Sequence, residues 1–295
     1  MKIGIYGQRF RKKSLIYIEE LLSALQNHSI EVSIETEFYK KIKQHIDIKN
    51  DYGTFSNHKD LNKTYDMMLS VGGDGTFLRA ITYVRNSNIP ILGINVGRLG
   101  FLANVKKENI KEAIKAIVNK EYQIKKRSLL KVITNPEMEE LNDINIALNE
   151  VTIVRKDTTA MITLKTYLDN EYLATYWADG LIFSTPTGST GYSLSCGGPV
   201  ITPSSKNLVI TPIAPHNLNV RPLIINDNTN IKVNLVGREK QALISLDSRI
   251  ITIPKDTEVE IKKASYSIKT VLLNNQSFLK TLREKLLWGE DVRNI

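Results

Sequence analysis

The sequence predicts an α/β N-terminal domain, a parallel sheet with crossover helices, followed by an all-β C-terminal domain and one terminal helix. Up to about residue 121, strand-length apolar runs alternate with apolar residues spaced three and four apart, the pattern of βα units. From Leu129 the spacing changes to two, and short alternating segments recur to Leu273, the pattern of a sheet-built unit. At the end, Phe278, Leu282 and Leu286 share one helix face within Ser277–Trp288, and Gly289 stops the helix. A lone amphipathic helix after a β unit must cover an apolar surface, so it is expected to return to the N-terminal domain. The resulting division is 1–121, 122–274 and 275–295.

In order, Lys2–Tyr6 reads as a strand through Ile3 and Ile5, and Gly7–Lys13 as a basic loop. Ser14 caps a helix carrying Leu15, Ile18, Leu21, Leu22 and Leu25. Val32 and Ile34 mark a second strand, Phe38–Lys49 a helix, and Asp51–Lys63 a polar loop. Met67–Val71 is a buried strand that runs into Gly72-Gly73-Asp74-Gly75-Thr76, and Phe77, Leu78, Ile81 and Val84 make Thr76–Arg85 a helix. Pro90–Asn95 is the next strand, followed by Val96-Gly97-Arg98-Leu99-Gly100-Phe101-Leu102 and a helix near Lys107–Val118. Beyond Tyr122 come strands around Leu130–Thr134 and Ile144–Leu148. A hairpin, Met161–Leu168 with Glu171–Trp177, turns at Asp169-Asn170. Leu181–Phe183, Leu208–Ile210, Ile231–Leu235, Ala242–Leu246, Ile250–Ile253, Val259–Lys262 and Ile268–Leu273 complete the strands.

Composition narrows the class. With 295 residues, 42% of them apolar and 24% charged, the chain is that of a globular protein. No stretch has the length and apolarity to cross a bilayer, and the N-terminus lacks a signal-peptide core, so a cytoplasmic location without membrane association is expected. The single Cys196 excludes a disulfide framework and a cysteine-based zinc site, and the four histidines show no metal-ligand spacing. The net charge of +9 points to polyanions. Its largest cluster, Arg9-Phe10-Arg11-Lys12-Lys13, has no aromatic ladder, which favours solvated surface first, nucleotide phosphates second and nucleic acid last.

Chemistry concentrates in three places. The glycines of Gly72–Thr76 stand where a strand hands over to a helix, where the backbone approaches a ligand closely and helix-start amides favour phosphate oxygens. Asp74 in that turn repels phosphate and therefore needs a task, either holding a cation or accepting a proton; an ordinary Asp-Gly turn is the plain alternative. In open α/β sheets ligands bind beyond the carboxyl ends of strands, which is where Gly72–Thr76 and Val96–Gly100 would lie. The stretch Asp179-Gly180 through Thr185-Pro186-Thr187-Gly188-Ser189-Thr190-Gly191-Tyr192-Ser193-Leu194-Ser195-Cys196-Gly197-Gly198 crowds hydroxyls suited to phosphate, ribose and base edges, with Tyr192 as a stacking face. Asn149-Glu150, at the end of the Ile144–Leu148 strand, either grips a ligand or faces solvent, and spacing alone favours solvent. Cys196 reads as a small buried residue rather than a nucleophile.

Taken in order, Gly72–Thr76, Asn95–Leu102, Asn149-Glu150 and Asp179-Gly180 with Thr185–Tyr192 resemble the NAD kinase family over nearly the whole chain. The glycine block is shared with lipid kinases and has a relative in phosphofructokinases; the Thr185–Gly198 block is the specific one. The resemblance implies transfer of the terminal phosphoryl group of ATP to the 2′-hydroxyl of the adenosine ribose of NAD, assisted by a divalent metal such as Mg²⁺. It implies a nucleotide-binding first domain and a β-rich second domain that binds NAD and builds a homodimer or homotetramer. Asp74 then matches the base. Gly75, Asn149 and Glu150 match contacts at the adenosine end, Asp179 one at the nicotinamide end, and Thr190, Gly191, Tyr192, Ser193, Leu194 and Ser195 the adenine-side segment, with Thr187 beside them. Arg79 is a phosphate contact on the NAD side, and Gly72, Gly73, Gly75 and Thr76 face the ATP phosphates. No metal ligand is assigned.

Four positions depart from the family pattern: Gly191 where many members have alanine, Trp177 where many have arginine, and Ser248-Arg249, after Asp247, where many have Gly-Gln. They bear on loop mobility and on charge near the nicotinamide and phosphates. The competing readings are a lipid kinase sharing the glycine block, opposed by the Thr185–Gly198 block, and a non-catalytic dinucleotide-binding regulator, opposed by Asp74.

Overall fold

The computed structural model describes residues 1–48, 50–97, 100–157 and 161–289. Arg98 and Leu99 of the Asn95–Leu102 motif, and the last residues of the expected 275–295 segment, lie outside them. The described residues form two compact units, Met1–Lys126 with 268–289, and Arg127–Ser267.

In the first unit β1 (Lys2–Gly7) leads through α1 (Leu15–Asn27) to β2 (Glu31–Glu35), α2 (Thr36–Lys43) and β3 (Gly53–Phe55). β4 (Met67–Gly72), α3 (Asp74–Val84), β5 (Ile91–Asn95), β6 (Val105–Lys106), α4 (Ile110–Val118) and β7 (Tyr122–Arg127) follow. Along the sheet the order is β3-β2-β1-β4-β5, all parallel, with β6 also on β5. The chain leaves β1 in one direction and β4 in the other, so their carboxyl ends flank a topological switch point. That position sets the Gly72–Thr76 turn and the basic loop after β1 at the same edge.

Alternation along the strands assigns the two faces. Met67, Leu69 and Val71 share a core with Ile18, Leu21 and Leu25 of α1 and Ile110, Ile114 and Ile117 of α4. The intervening Met68 and Ser70 are fully buried outside that cluster, as are Phe77, Ala80 and Ile81 of α3. Each fully buried large side chain stabilises the unit by about 1.5–3 kcal/mol, which fixes α3, and with it Asp74, against the sheet.

In the second unit β8 (Leu130–Asn135), α5 (Glu139–Asn142), β9 (Ile146–Ala147), β10 (Glu150–Arg155), β11 (Ile162–Leu168), β12 (Glu171–Ala178) and β13 (Gly180–Ser184) come first. After them come α6 (Tyr192–Ser195), β14 (Asn207–Ile213), β15 (Leu223–Asn226), β16 (Ile231–Val236), β17 (Gln241–Leu246), β18 (Arg249–Pro254) and β19 (Glu258–Lys263). Two antiparallel sheets result among the described residues, β15-β14-β13-β10-β17-β18 and β12-β11-β16-β19-β8-β9. Val151, Leu181 and Ile210 of one sheet and Val132, Leu164 and Val233 of the other lie in a single core, so the unit is a β-sandwich. The fold class is the predicted one, an α/β unit with a parallel sheet and an all-β unit.

Several boundaries differ from the sequence reading. The helix after the glycines begins at Asp74 rather than Thr76, with Gly73 as its N-cap. The Phe38–Lys49 helix is the shorter Thr36–Lys43, and the polar Asp51–Lys63 stretch contains β3, an edge strand with only Phe55 buried. Asn149-Glu150 does not end a strand from Ile144; Glu150 opens β10. The strand β20 (Ile268–Leu273), expected in the second domain, belongs to the first sheet, next to β5 and β7. Periodicity marks a strand but carries no information on which sheet receives it. The chain then forms α7 (Phe278–Leu286), capped by Ser277, whose hydroxyl accepts from the Lys280 N–H at 3.1 Å.

Candidate active site

In the first unit the site is built on the turn from β4 to α3. A Cβ at Gly72 would overlap the Thr76 side chain, so glycine is required there by packing. Gly73 and Gly75 have open space where a Cβ would stand, leaving their backbone accessible to a ligand. The N–H groups of Thr76 and Phe77 bond to Gly73 O at 3.0 and 3.1 Å and start the helix. Asp74 stands in the first turn, where the helix dipole favours negative charge.

Its carboxylate does not cap its own helix. Oδ2 accepts from Phe101 N at 2.8 Å, and Oδ1 from Leu102 N at 3.0 Å and Ala103 N at 2.9 Å. The segment Gly100–Ala103, folded back by Gly100 N donating to Ala103 O at 3.4 Å, is thus a backbone nest closed around the aspartate. A Cβ on Gly100 would overlap Asp74 Oδ1, which is why glycine stands there. Asn95, buried at the end of β5, braces the turn: its Nδ2 donates to Ala103 O at 3.3 Å and its Oδ1 accepts from Gly97 N at 2.8 Å. Asn95 and Gly100–Ala103 therefore hold Asp74 in place, a link that sequence spacing did not reveal. Arg79, one turn along α3, is exposed, and its charge bears on the Tyr6 and Tyr83 phenols, both raised mainly by burial.

In the second unit, pairing of Glu150 with Ser184 sets Asn149-Glu150 beside the hydroxyl-rich stretch. Thr185 N donates to Asn149 O at 2.9 Å and Thr185 Oγ1 to Leu148 O at 2.6 Å, and a Cβ on Gly188 would overlap the Asn149 backbone. Thr187 Oγ1, Asn149 Oδ1 and Glu150 Oε2 are buried without a hydrogen-bond partner in the protein. Three orphan polar atoms at one strand end are a cost that a hydrogen-bonding ligand would offset. The expectation that Asn149-Glu150 faces solvent is accordingly corrected. Burial, then the charge of Asp247, pushes the Glu150 carboxyl up to about 8, against a Tyr192 backbone N–H that lowers it.

Gly191 has no Cβ to crowd Glu150 Oε2, which an added methyl would approach to 3.0 Å. Tyr192 and Ser195 are exposed and Leu194 half-buried on the short α6, whereas Ser193 turns inward to bond Thr211 Oγ1 at 2.8 Å. Thr190 Oγ1 donates to Thr187 O at 3.4 Å. Asp179 pairs with Arg155 at 3.2 Å. Cys196 is half-buried rather than fully so, and burial raises its thiol, which keeps it protonated and unreactive.

Sequence reasoning missed the support beneath Asn149-Glu150. Asp247 sits in the β17–β18 turn at φ 54°, a left-handed conformation. Its carboxylate accepts from Leu148 N at 2.9 Å, Asn149 N at 2.8 Å and Glu150 N at 3.3 Å. Arg249 donates to Ile144 O at 2.9 Å and to Ile146 O, so one hairpin grips the segment by its amides and its carbonyls. The arginine at this departure from the family pattern is structural. Trp177, another departure, is half exposed and tilts against His216 at 5.7 Å.

A doubly wound α/β unit with an aspartate held in a glycine-rich strand-to-helix turn, and a β-sandwich with orphan polar atoms under a hydroxyl-rich loop, fit the class of nucleotide-using kinases. Residues 3–122 match the ATP-NAD kinase N-terminal domain and residues 148–273 the ATP-NAD kinase C-terminal domain. NAD kinases of Flavobacterium psychrophilum and Cytophaga hutchinsonii are 55% and 43% identical to the chain, each over 100% of both sequences. Among solved structures, an NAD kinase from Archaeoglobus fulgidus in complex with ATP has 25% identity and a TM-score of 0.76, covering 97% of this chain and 99% of that one. Yeast NADH kinase complexed with NADH, at 21% identity and a TM-score of 0.89 over 100% of this chain and 89% of that one, shares the fold. The chain belongs to the NAD kinase family.

Proposed function

We propose that this chain transfers the terminal phosphoryl group of ATP to the 2′-hydroxyl of the adenosine ribose of NAD, forming NADP. Family membership supports the reaction, and the held Asp74 carboxylate is the observation that carries its assignment to a residue. In the step, the 2′ O–H bond breaks and its proton passes to Asp74 Oδ2, while the 2′ oxygen bonds the terminal phosphorus. The bond from that phosphorus to the bridging oxygen breaks, and its electron pair leaves with ADP. Phosphoryl transfer asks for alignment and charge neutralisation rather than covalent help, and a carboxylate fixed by three amides supplies the first.

A divalent metal, Mg²⁺, is part of this reading. Among the described residues no three His, Cys, Asp or Glu side chains converge as a metal cage. Mg²⁺ keeps several waters and binds largely through substrate phosphates, so the residues present fit an ion that would arrive on ATP, with Asp74 as the carboxylate that would face it. When bound it neutralises the β- and γ-phosphates. Asn149, Glu150, Thr187 and the Thr190–Ser195 segment serve the adenosine end of NAD, Asp179 the nicotinamide end, and Gly72, Gly73, Gly75, Thr76 and Arg79 the phosphates. The exposed Arg9–Lys13 loop at the switch-point edge serves ATP rather than nucleic acid. The reading includes a cytoplasmic location and a homodimer or homotetramer. No described helix is long and apolar enough to cross a membrane.

Asp74→Asn tests it. The substitution keeps size and removes the proton acceptor, so NADP formation should fall ~10²–10⁴-fold while NAD still binds. Rescue by added Mg²⁺ would assign Asp74 to the metal rather than the proton. Activity within a few-fold of the parent would reduce the turn to a structural feature.

A further inference from the structure

The Asp74 carboxylate has about four lone-pair positions, and three are filled by the amides of Phe101, Leu102 and Ala103. What remains is on Oδ2. Lys285 Nζ stands 3.7 Å from that oxygen, in ion-pair range but short of a hydrogen bond. The same ammonium lies 4.7 Å above the centre of the Phe101 ring, a cation–π arrangement. It is therefore held over the ring rather than locked to the carboxylate.

Lys285 comes from α7, and α7 is anchored where it matters for Asp74. The Phe278 and Phe101 rings are 6.3 Å apart, Glu284 pairs with Lys106 at 2.9 Å, and Gln276 Nε2 donates to Asn104 O at 3.0 Å. All three anchors fall on Phe101–Lys106, the segment that begins with the aspartate's nest. Three amides already fix Asp74, so an ammonium adds nothing to its placement. What it adds is charge. A carboxylate beside a transferring phosphoryl group repels it, and a neighbouring cation cancels that repulsion.

We propose that Lys285 is the charge-compensating residue of the phosphoryl-transfer site, opposing Asp74 at rest and passing to the transferred phosphoryl group when the acceptor hydroxyl takes the last position on Oδ2. The long lysine side chain, about a third exposed and ending over the Phe101 ring, allows this shift. The inference rests on the reading of Asp74 as proton acceptor in an ATP-dependent transfer.

The test is steady-state NADP formation by the full chain and its Lys285→Met, Lys285→Arg, Asp74→Asn and Lys285→Met/Asp74→Asn variants. Lys285→Met keeps the stem and removes the charge; kcat should fall roughly 10–100-fold with the KM for NAD within about 2-fold. Lys285→Arg should recover most of that loss, which also shows that the helix remains docked. In the Asp74→Asn background Lys285→Met should cost clearly less than it does in the parent, because the part of its effect that offsets the Asp74 charge is gone. A kcat for Lys285→Met within about 2-fold of the parent, an arginine variant as impaired as the methionine one, or losses that simply multiply would each overturn the assignment of Lys285 while leaving the function intact. No NADP from the parent enzyme would sink the functional reading and this inference with it.

Discussion

Glu150 shows how a single side chain carries information that spacing conceals. Its Oε2 is buried and unpartnered, and burial together with the Asp247 charge raises its carboxyl to about 8. At neutral pH it is a neutral acid able to donate a hydrogen bond, which suits a ribose or base acceptor. The sign of the linkage follows. The folded value lies above the unfolded one of about 4.3, so the folded state binds the extra proton and stability is greatest below that lower value. Stability then declines as pH rises toward 8. Glu150→Gln removes this titration. Its thermal midpoint should match the parent near pH 5 and exceed it near pH 9, and the rise in KM for NAD expected of the parent above pH 8 should flatten. A parent midpoint that does not fall over this range relative to the glutamine variant would place the carboxyl in an ordinary, solvated setting.

At the scale of the element, the decisive piece is the turn Gly100–Ala103. It owes its shape to Asn95 below and to the Asp74 carboxylate within, and it tolerates no Cβ at Gly100. Gly100→Ala must push the nest off the carboxylate. Misplacement of a reacting group by about 1 Å costs on the order of 10²-fold in rate, and a loss of that size in kcat is expected. The KM for NAD should change little, since the Asn149-Glu150 support is untouched. If kcat is retained, the nest is dispensable for Asp74. The β17–β18 hairpin does the equivalent work in the second unit, gripping the amides of Leu148–Glu150 with Asp247 and the carbonyls of Ile144 and Ile146 with Arg249.

For the whole molecule, the open question is what covers the edges of the sandwich. The edge strand β15 exposes Leu223 and Ile224, and β18 at the opposite edge exposes Ile250. Apolar edge strands with free backbone groups invite pairing with another chain. Light scattering at assay concentration should give the mass of a dimer or tetramer, and Ile224→Lys should lower it. A monomeric parent would show that these edges are simply tolerated.

The sequence by itself determined the two-part architecture, the strand-to-helix position of the glycines, and the family, because hydrophobic period and short motifs are local properties of the chain. It left open whether Asp74 served a cation, a proton or a turn, and whether Asn149-Glu150 met solvent. It also assigned Ile268–Leu273 to the wrong sheet. The surroundings of these groups depend on partners far away along the chain: those of Asp74 on Phe101–Ala103 and Lys285, those of Asn149-Glu150 on Asp247. A carboxylate's role is set by the donors and charges that surround it in space. Only the tertiary structure brings amides, an ammonium and a second carboxylate from separate segments to the atoms they act on.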